Sequence, residues 1–155
     1  RKVVFWALGA ITSLLLLAYF GLPAIAGRLA PLVPVSAEIR LGEAMDPQVR
    51  SMVSAAPLRA CTAPDGLAAL NELVARYERH ADLHLPLRVV VLDHGLVNAF
   101  ALPGGYIYLF NGLIQRARSP DELAGVLAHE IGHVKLRHSL RSAIQAGGNL
   151  LDFRS

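Results

Sequence analysis

The sequence has 155 residues, enough for one domain with a hydrophobic core, and 54% of them are hydrophobic. Charged residues make up 17%, below the ~25% that is usual in soluble domains, and the formal net charge is +3. The basic residues form no block interleaved with aromatic residues, so we expect no nucleic-acid partner. Cys61 is the only cysteine, which excludes an internal disulfide and a CxxC metal pair.

The first predicted element is a membrane anchor over residues 1–27. No charged residue occurs from position 3 to position 27, and about 20 apolar residues are enough to cross the core of a lipid bilayer. Trp6 and Tyr19 lie near the two ends of this segment, where interfacial aromatic residues are favoured.

Two other interpretations of this segment compete with the anchor. A cleaved signal peptide would explain the small residues Ala24 and Ala26 of the "AIA" sequence, followed by Gly27. The apolar region of a signal peptide is about 7–15 residues long, and this one is longer, which favours the anchor. A buried core helix is the third interpretation, but soluble domains seldom contain so long an uncharged run.

The charges before the segment predict its orientation. Arg1 and Lys2 precede the apolar run, and the positive-inside rule places them in the cytoplasm. The rest of the chain would then lie on the non-cytoplasmic side, and we expect a bacterial inner membrane.

Residues 28–64 are predicted to form a proline-rich connector. The prolines argue against long helices; they are Pro31, Pro34, Pro47, Pro57 and Pro64. We expect a partly extended segment with short structured pieces, of which "VSAEIRLGEAM" could be a short strand or a helical turn.

The remainder reads as a mixture of helices and strands. An amphipathic helix begins near Pro64, because four apolar or aromatic residues recur at helical spacing: Leu67, Leu70, Val74 and Tyr77. The valine-rich segment 87–93 predicts a strand. Residues 99–102 and 106–110 predict a hairpin or two adjoining strands around the turn Pro103–Gly105.

A second helix begins at a strong capping sequence. Ser119 fits the N-cap, Pro120 the first helical position and Glu122 the capping-box partner. We expect this helix to be buried, to run through residue 145 and to end near Gly147–Gly148.

The sequence His129-Glu130-Ile131-Gly132-His133 lies within this helix. Residues four apart share a helix face, so the two imidazoles point to one place, where they can supply half of a tetrahedral zinc shell. Glu130 is offset by about 100° and can take a proton from water beside the metal. Two ordinary helical histidines are the alternative, but buried histidines need polar partners.

Two linked segments carry a resemblance to a known family: "NAFALPGGYIYLFNGLI" and "SPDELAGVLAHEIGHVKLRH". Together they resemble the membrane-associated zinc metallopeptidases of the HtpX, BepA/Oma and type I CaaX prenyl protease family. The resemblance implies an α+β fold: an N-terminal transmembrane helix followed by a gluzincin-like domain with a small sheet and an HExxH active-site helix. Residues 65–155 would be the N-terminal, incomplete part of that domain, and the substrate would be a protein or peptide.

The resemblance also implies residue roles. His129 and His133 would bind Zn²⁺, and Glu130 would be the general base. The substrate cleft would include Asn98, Ala99, Phe100 and Ala101, with the sheet edge pairing to peptide backbone. His138 would be a partner of the ligands or a packing residue, since its angular offset from His133 makes it a poor third ligand.

The family's third ligand is a glutamate in a downstream E-x-x-x-D pattern, and here the sequence differs. No glutamate follows Glu130, and Asp152 is the only later carboxylate. We therefore expect a C-terminally truncated domain whose third ligand lies beyond Ser155. The leading hypothesis is a membrane-anchored zinc endopeptidase acting in protein quality control. An inactive zinc-binding or chaperone-like module is the second, and a purely structural membrane protein the third; no pattern indicates an oligomeric state.

Overall fold

The computed structural model describes residues 2–150 and confirms the α+β class, since helices combine with one small sheet. The helices are α1 (Lys2–Leu16), α2 (Leu22–Leu29), α3 (Val35–Val53), α4 (Pro64–Ala81), α5 (Asn111–Arg116), α6 (Pro120–Lys135) and α7 (His138–Leu150). By their contacts the described residues divide into two compact units, one of residues 34–140 and one of residues 2–33 with 141–150.

The N-terminal helical run extends from Lys2 to Leu32 and is long and apolar enough to cross a membrane. A π-helical turn, Leu17–Gly21, joins α1 to α2, and a 3-10 turn, Ala30–Leu32, follows. Large apolar side chains are exposed along it, Phe5 at 77% and Trp6 at 75%. None of the most apolar stretch is buried in the structure, which argues against a core helix and leaves the anchor and the signal peptide.

The sheet lies in the unit of residues 34–140 and has three strands: β1 (Arg88–Leu92), β2 (Ala99–Leu102) and β3 (Tyr106–Phe110). Their spatial order is β1-β3-β2, with β1 parallel and β2 antiparallel to β3. The predicted strands, including the hairpin, are confirmed. The turn Pro103–Gly105 reverses the chain through positive φ values of 82° at both glycines, which glycine adopts without strain.

The central strand β3 is buried on both faces, since its residues alternate between two apolar clusters. Ile107 and Leu109 face one cluster, to which α4 and α6 contribute Leu70, Val74, Leu127, Ile131 and Val134. Tyr108 and Phe110 face the other, against which α3 packs Met45, Val49 and Val53. The sheet is therefore covered by α4 and α6 on one face and by α3 on the other.

The expectation of no long helix in the connector was wrong. α3 has 19 residues and contains Pro47, although a proline inside a helix costs a hydrogen bond and crowds the preceding turn. Met45, Val49 and Val53 recur at helical spacing, so a helix here covers an apolar sheet face that would otherwise be open to water. Burial of that face outweighs the local cost of the proline.

The second predicted helix begins as expected but ends early. Ser119 is the N-cap, and its hydroxyl accepts from the Glu122 N–H at 3.3 Å. The Glu122 carboxylate accepts from the backbone N–H of Arg118 instead of that of Ser119. The helix ends at Lys135 and a new one begins at His138, because Arg137 adopts a left-handed φ of 53°. The expected end near Gly147–Gly148 was wrong, since α7 runs to Leu150.

Two glycines let α3 approach the turn between β2 and β3 at backbone distance. A Cβ built on Gly42 of α3 would lie 2.0 Å from the Pro103 carbonyl oxygen. A Cβ built on Gly104 would lie 2.6 Å from the Ile39 Cα. Both obstacles are backbone atoms, which cannot move aside as a flexible side chain can.

We expect Gly42→Ala to destabilise the protein by about 1–3 kcal/mol, because it forces α3 off the turn. Gly125→Ala is the matched control, since Gly125 lies in α6 with no atom within 4 Å of its built Cβ. That variant should be stabilised by about 0.5–1 kcal/mol through helix propensity alone. Urea denaturation measures both, and equal effects of the two would contradict the close packing of α3.

Tyr108 forms one of the polar links between the sheet and α3. Its hydroxyl donates to the Asp46 carboxylate of α3, and Arg50 lies over its ring. Burial, and then the hydrogen bond and charge of Asp46, raise the pKa of Tyr108 to about 12. The folded protein therefore holds this proton more tightly than the unfolded chain, in which the tyrosine pKa is near 10.

We predict that the free energy of unfolding falls as the pH rises between 10 and 12, because Tyr108 with its pKa of about 12 is protonated longer in the folded state. The contribution is complete below pH ~10 and is lost as the pH passes through the folded pKa. When the pH is raised and tyrosinate absorbance is recorded, one ionisation step should occur at high pH, and Tyr108→Phe should remove that step. Asp46→Asn should bring that step to lower pH, and an unchanged step would refute the assigned cause.

Candidate metal centre

The candidate centre lies on α6, where His129 and His133 present their rings on the same face. Their Nε2 atoms are 3.2 Å apart, and the ring centroids are 4.8 Å apart. His129 is exposed and His133 is half-buried. The helical spacing thus brings two imidazole nitrogens together at a place that solvent can reach.

This separation fits two ligands of one tetrahedral ion. Nitrogens bonded to zinc at ~2.05 Å with tetrahedral angles would be about 3.3 Å apart. The Nε2 atoms of His129 and His133 already stand at 3.2 Å, so neither ring would have to move far. Without an ion, one of the two Nε2 atoms must carry the proton for them to share a hydrogen bond.

Glu130 follows the first histidine on the helix and is buried, at 9% exposure. Its position is offset from the face that His129 and His133 share, as the helical repeat requires. A carboxylate that follows the first histidine on the helix is a candidate to exchange protons with water at the pair.

His138 lies directly against His133, as the first residue of α7. The two Nδ1 atoms are 2.9 Å apart, a hydrogen-bond distance, and the ring centroids are 5.0 Å apart. The contact uses the Nδ1 atom of His133 and leaves its Nε2 facing His129. His138 therefore orients the ring of His133 and does not join the pair of facing Nε2 atoms.

The residues expected in a substrate cleft lie on and just before the edge strand β2. The Asn98 carbonyl accepts from the Phe110 N–H, which continues the pairing with β3. Ladder alternation then turns the backbone groups of Ala99 and Ala101 outward, away from β3. The Ala101 carbonyl is occupied by the Ser139 hydroxyl at 2.7 Å, whereas the Phe100 ring stacks on Tyr108, on the face that α3 covers.

Among the described residues, the structure brings no third acidic or histidine ligand to the pair. Within residues 2–150, no group of three or more His, Cys, Asp or Glu side chains is arranged to hold a metal ion. Asp152 lies outside the described residues. The other histidines have partners of their own: His80 contacts the Arg76 carbonyl, His84 the Glu38 carboxylate and His94 the Leu96 N–H.

Cys61 is no candidate nucleophile. Its thiol is half-buried, and burial, with a smaller contribution from the Asp93 charge, raises its pKa above the ordinary value. A thiol with a raised pKa has little thiolate near neutral pH and reacts slowly.

Sequence reasoning missed the residues that fix the junction between α6 and α7: Glu38, Arg137 and Ser139. The sequence did carry a signal for the first of these. Glu38, Gly42, Met45 and Val49 recur at intervals of three or four residues, which is the periodicity of one helix face. The left-handed turn at Arg137 has no comparable sequence signal.

Comparison with known proteins identifies the family. Residues 66–153 match the family model described as peptidase family M48, which is more than half of the 155 residues. The chain belongs to peptidase family M48. The match includes the sheet, α6 and the paired histidines, and it confirms the resemblance described above, whereas α3 lies before the matched residues.

Several curated proteases are similar to the chain. The beta-barrel assembly-enhancing protease of Yersinia pestis is 34% identical over 135 residues, covering 86% of this chain and 27% of that protein. Mitochondrial metalloendopeptidase OMA1 of Arabidopsis thaliana is 46% identical over 50 residues, 32% of this chain and 10% of that protein. The protease HtpX homolog of Salinibacter ruber is 39% identical over 80 residues, 50% and 29% respectively. The chain thus spans less than a third of each relative.

Proposed function

We propose that this chain is part of a membrane-anchored zinc endopeptidase. The observation that carries the proposal is the pair of facing imidazoles on α6, with Nε2 atoms 3.2 Å apart; the buried Glu130 directly follows His129 in the sequence. Membership of a peptidase family and relatives named as proteases support it. Two imidazoles and a carboxylate are a common ligand set for catalytic Zn²⁺.

Each residue of the centre has a distinct task in this proposal. His129 and His133 would hold the ion through Nε2, and a zinc ion bound there would supply Lewis acidity to polarise a carbonyl and acidify water. Glu130 accepts a proton from the attacking water at its carboxylate and gives it to the leaving amine nitrogen. His138 accepts a hydrogen bond from the Nδ1–H of His133 and fixes its tautomer.

The substrate would be a protein or peptide bound in an extended form. The outward groups of Ala99 and the outward N–H of Ala101 can pair with a peptide strand laid along β2. The Ala101 carbonyl is already bonded to Ser139, so the pairing would centre on Ala99. A role in protein quality control follows from the family resemblance alone.

A second candidate function is an inactive zinc-binding or chaperone-like module. The observation that favours it is the absence of a third ligand among residues 2–150. In the peptidase proposal, the third ligand is a glutamate beyond Ser155, in the E-x-x-x-D pattern of the family. The two candidates therefore differ in whether the full-length protein hydrolyses peptides.

In the full-length protein, we predict that Glu130→Gln lowers kcat/KM for peptide hydrolysis at least ~100-fold, because the proton acceptor is lost, while zinc is retained. His129→Ala should lose the zinc. Peptide cleavage assays and metal analysis after dialysis against a weak chelator measure both effects.

Glu72→Gln is the control for this pair of variants, since Glu72 is an exposed carboxylate of α4 paired only with the exposed Arg76 among the ion pairs of residues 2–150. It should behave as wild type. Cleavage unchanged by Glu130→Gln would refute the mechanism. Zinc bound without any cleavage by the wild-type protein would favour the inactive module.

We further propose that residues 1–27 anchor the protein in a bilayer. The exposed apolar helical run from Lys2 to Leu32 supports the anchor. Arg1 and Lys2 would lie in the cytoplasm. The residues from 65 onward would then form the peptidase domain on the non-cytoplasmic side, in a bacterial inner membrane, with residues 28–64 between them.

We predict that a reporter that works only after export is active when it is fused after Ser155. A reporter that works only in the cytoplasm should be inactive at the same position. Removal of residues 2–32 should reverse both results, since the export signal is lost. N-terminal sequencing of the membrane-bound product separates the two interpretations: an anchor keeps residues 3–27, whereas a signal peptide is cut after Ala26. Activity of the cytoplasmic reporter would contradict the orientation.

A further inference from the structure

A buried carboxylate on α3 connects the helix preceding the family-matched region to the candidate centre. Glu38 is 2% exposed. Its Oε2 atom accepts from Arg137 Nε at 2.9 Å and from Arg137 Nη2 at 2.5 Å. Burying a carboxylate is costly unless it is paired and hydrogen-bonded, so this side chain is held in place by a specific set of partners.

Two further elements meet at the same carboxylate. The Gly104 N–H, in the turn between β2 and β3, lies 3.4 Å from Oε1 of Glu38. The His84 ring, in the connection between α4 and β1, has its Nε2 atom 3.5 Å from Oε2. One side chain of α3 thus contacts the β2–β3 turn, the segment before β1 and the junction between α6 and α7.

That junction determines where His138 stands. Arg137, immediately before it, has a left-handed φ of 53° and is tied to Glu38. Ser139, immediately after it, donates to the Ala101 carbonyl at 2.7 Å. His138 is therefore fixed from both sides, by α3 through Arg137 and by the edge strand through Ser139.

We propose that Glu38 is a positioning residue for the metal centre, which acts through Arg137 to hold His138 against Nδ1 of His133. The inference rests on the proposed zinc site, in which His133 binds through Nε2. In that site, His133 carries its proton on Nδ1, which it shares with His138, and presents an unprotonated Nε2. Glu38 lies outside the residues matched by the family model, so this role is not implied by the match.

The test compares Glu38→Gln with Glu43→Gln in the full-length protein. Glu43 is on the same helix, but its carboxylate is half exposed and pairs with Arg88 and Tyr106. Loss of a partner that orients a ligand typically weakens metal binding 10- to 100-fold. We expect the zinc dissociation constant to rise about tenfold or more in Glu38→Gln and to stay near the wild-type value in Glu43→Gln.

A second readout needs no metal and separates positioning from general stability. Imidazole ¹⁵N spectra of the metal-free chain, recorded well below its melting temperature, report the tautomers of His133 and His138. We expect one hydrogen-bonded Nδ1 pair in the wild type and averaged signals in Glu38→Gln. If Glu38→Gln does not fold, Arg137→Lys takes its place in the test, because it keeps a cation but lacks the planar guanidinium group. Its spectra should show the same averaging.

The outcomes distinguish this inference from the proposed function. The positioning role would be overturned if Glu38→Gln folds and has the same spectra and zinc affinity as the wild type. It would also be overturned if the spectrum of the wild-type protein shows no hydrogen-bonded Nδ1 pair. If His129→Ala leaves zinc binding unchanged, the proposed zinc site fails instead. The spectra of the metal-free chain still decide whether Glu38 positions His138.

Discussion

The fold in residues 34–140 depends on a constraint of small sheets: both faces of the central strand β3 are apolar, and both must be kept from water. Ile107 and Leu109 point to one face, and Tyr108 and Phe110 to the other. A three-stranded sheet has too little area to form a core by itself, so a helical layer is needed on each side. α6 covers one face and carries the paired histidines, whereas α3 covers the other. The centre therefore sits on a helix whose place is set by burial, not by the ion.

The same constraint explains which elements could be predicted from the sequence. The strands followed from a valine-rich run and from alternation around Pro103–Gly105, and the start of α6 followed from the cap at Ser119; these signals are local. The helix α3 was missed because Pro47 and the neighbouring prolines argue locally against it. Its stability comes from burying Met45, Val49 and Val53 on a distant sheet face, and tertiary contacts of this kind override local propensity.

Part of the candidate site could likewise be predicted from the sequence, and part of it could not. The spacing of His129 and His133 predicts a shared face, and the structure places their Nε2 atoms 3.2 Å apart; their roles as ligands and that of Glu130 as base stay predictions. The early end of α6 could not be predicted, because Arg137 in a left-handed conformation looks like an ordinary helical residue in the sequence. Its conformation is maintained by a carboxylate 99 residues away. That break turns His138 toward His133, where a continuous helix would have carried it away.

The rings of His129 and His133 are consequently held by different numbers of contacts. This difference would affect how the two side chains bind an ion. His133 is half-buried and bonded through Nδ1 to His138, which is itself held from both sides. His129 is exposed, and its contact is with His133. A ligand whose ring is already oriented loses little side-chain freedom when it binds, whereas a free one loses more. His133 would thus bind with its ring already oriented, whereas the ring of His129 would adjust its position on binding. Any further ligand would then join a pair in which the ring of His133 is already oriented.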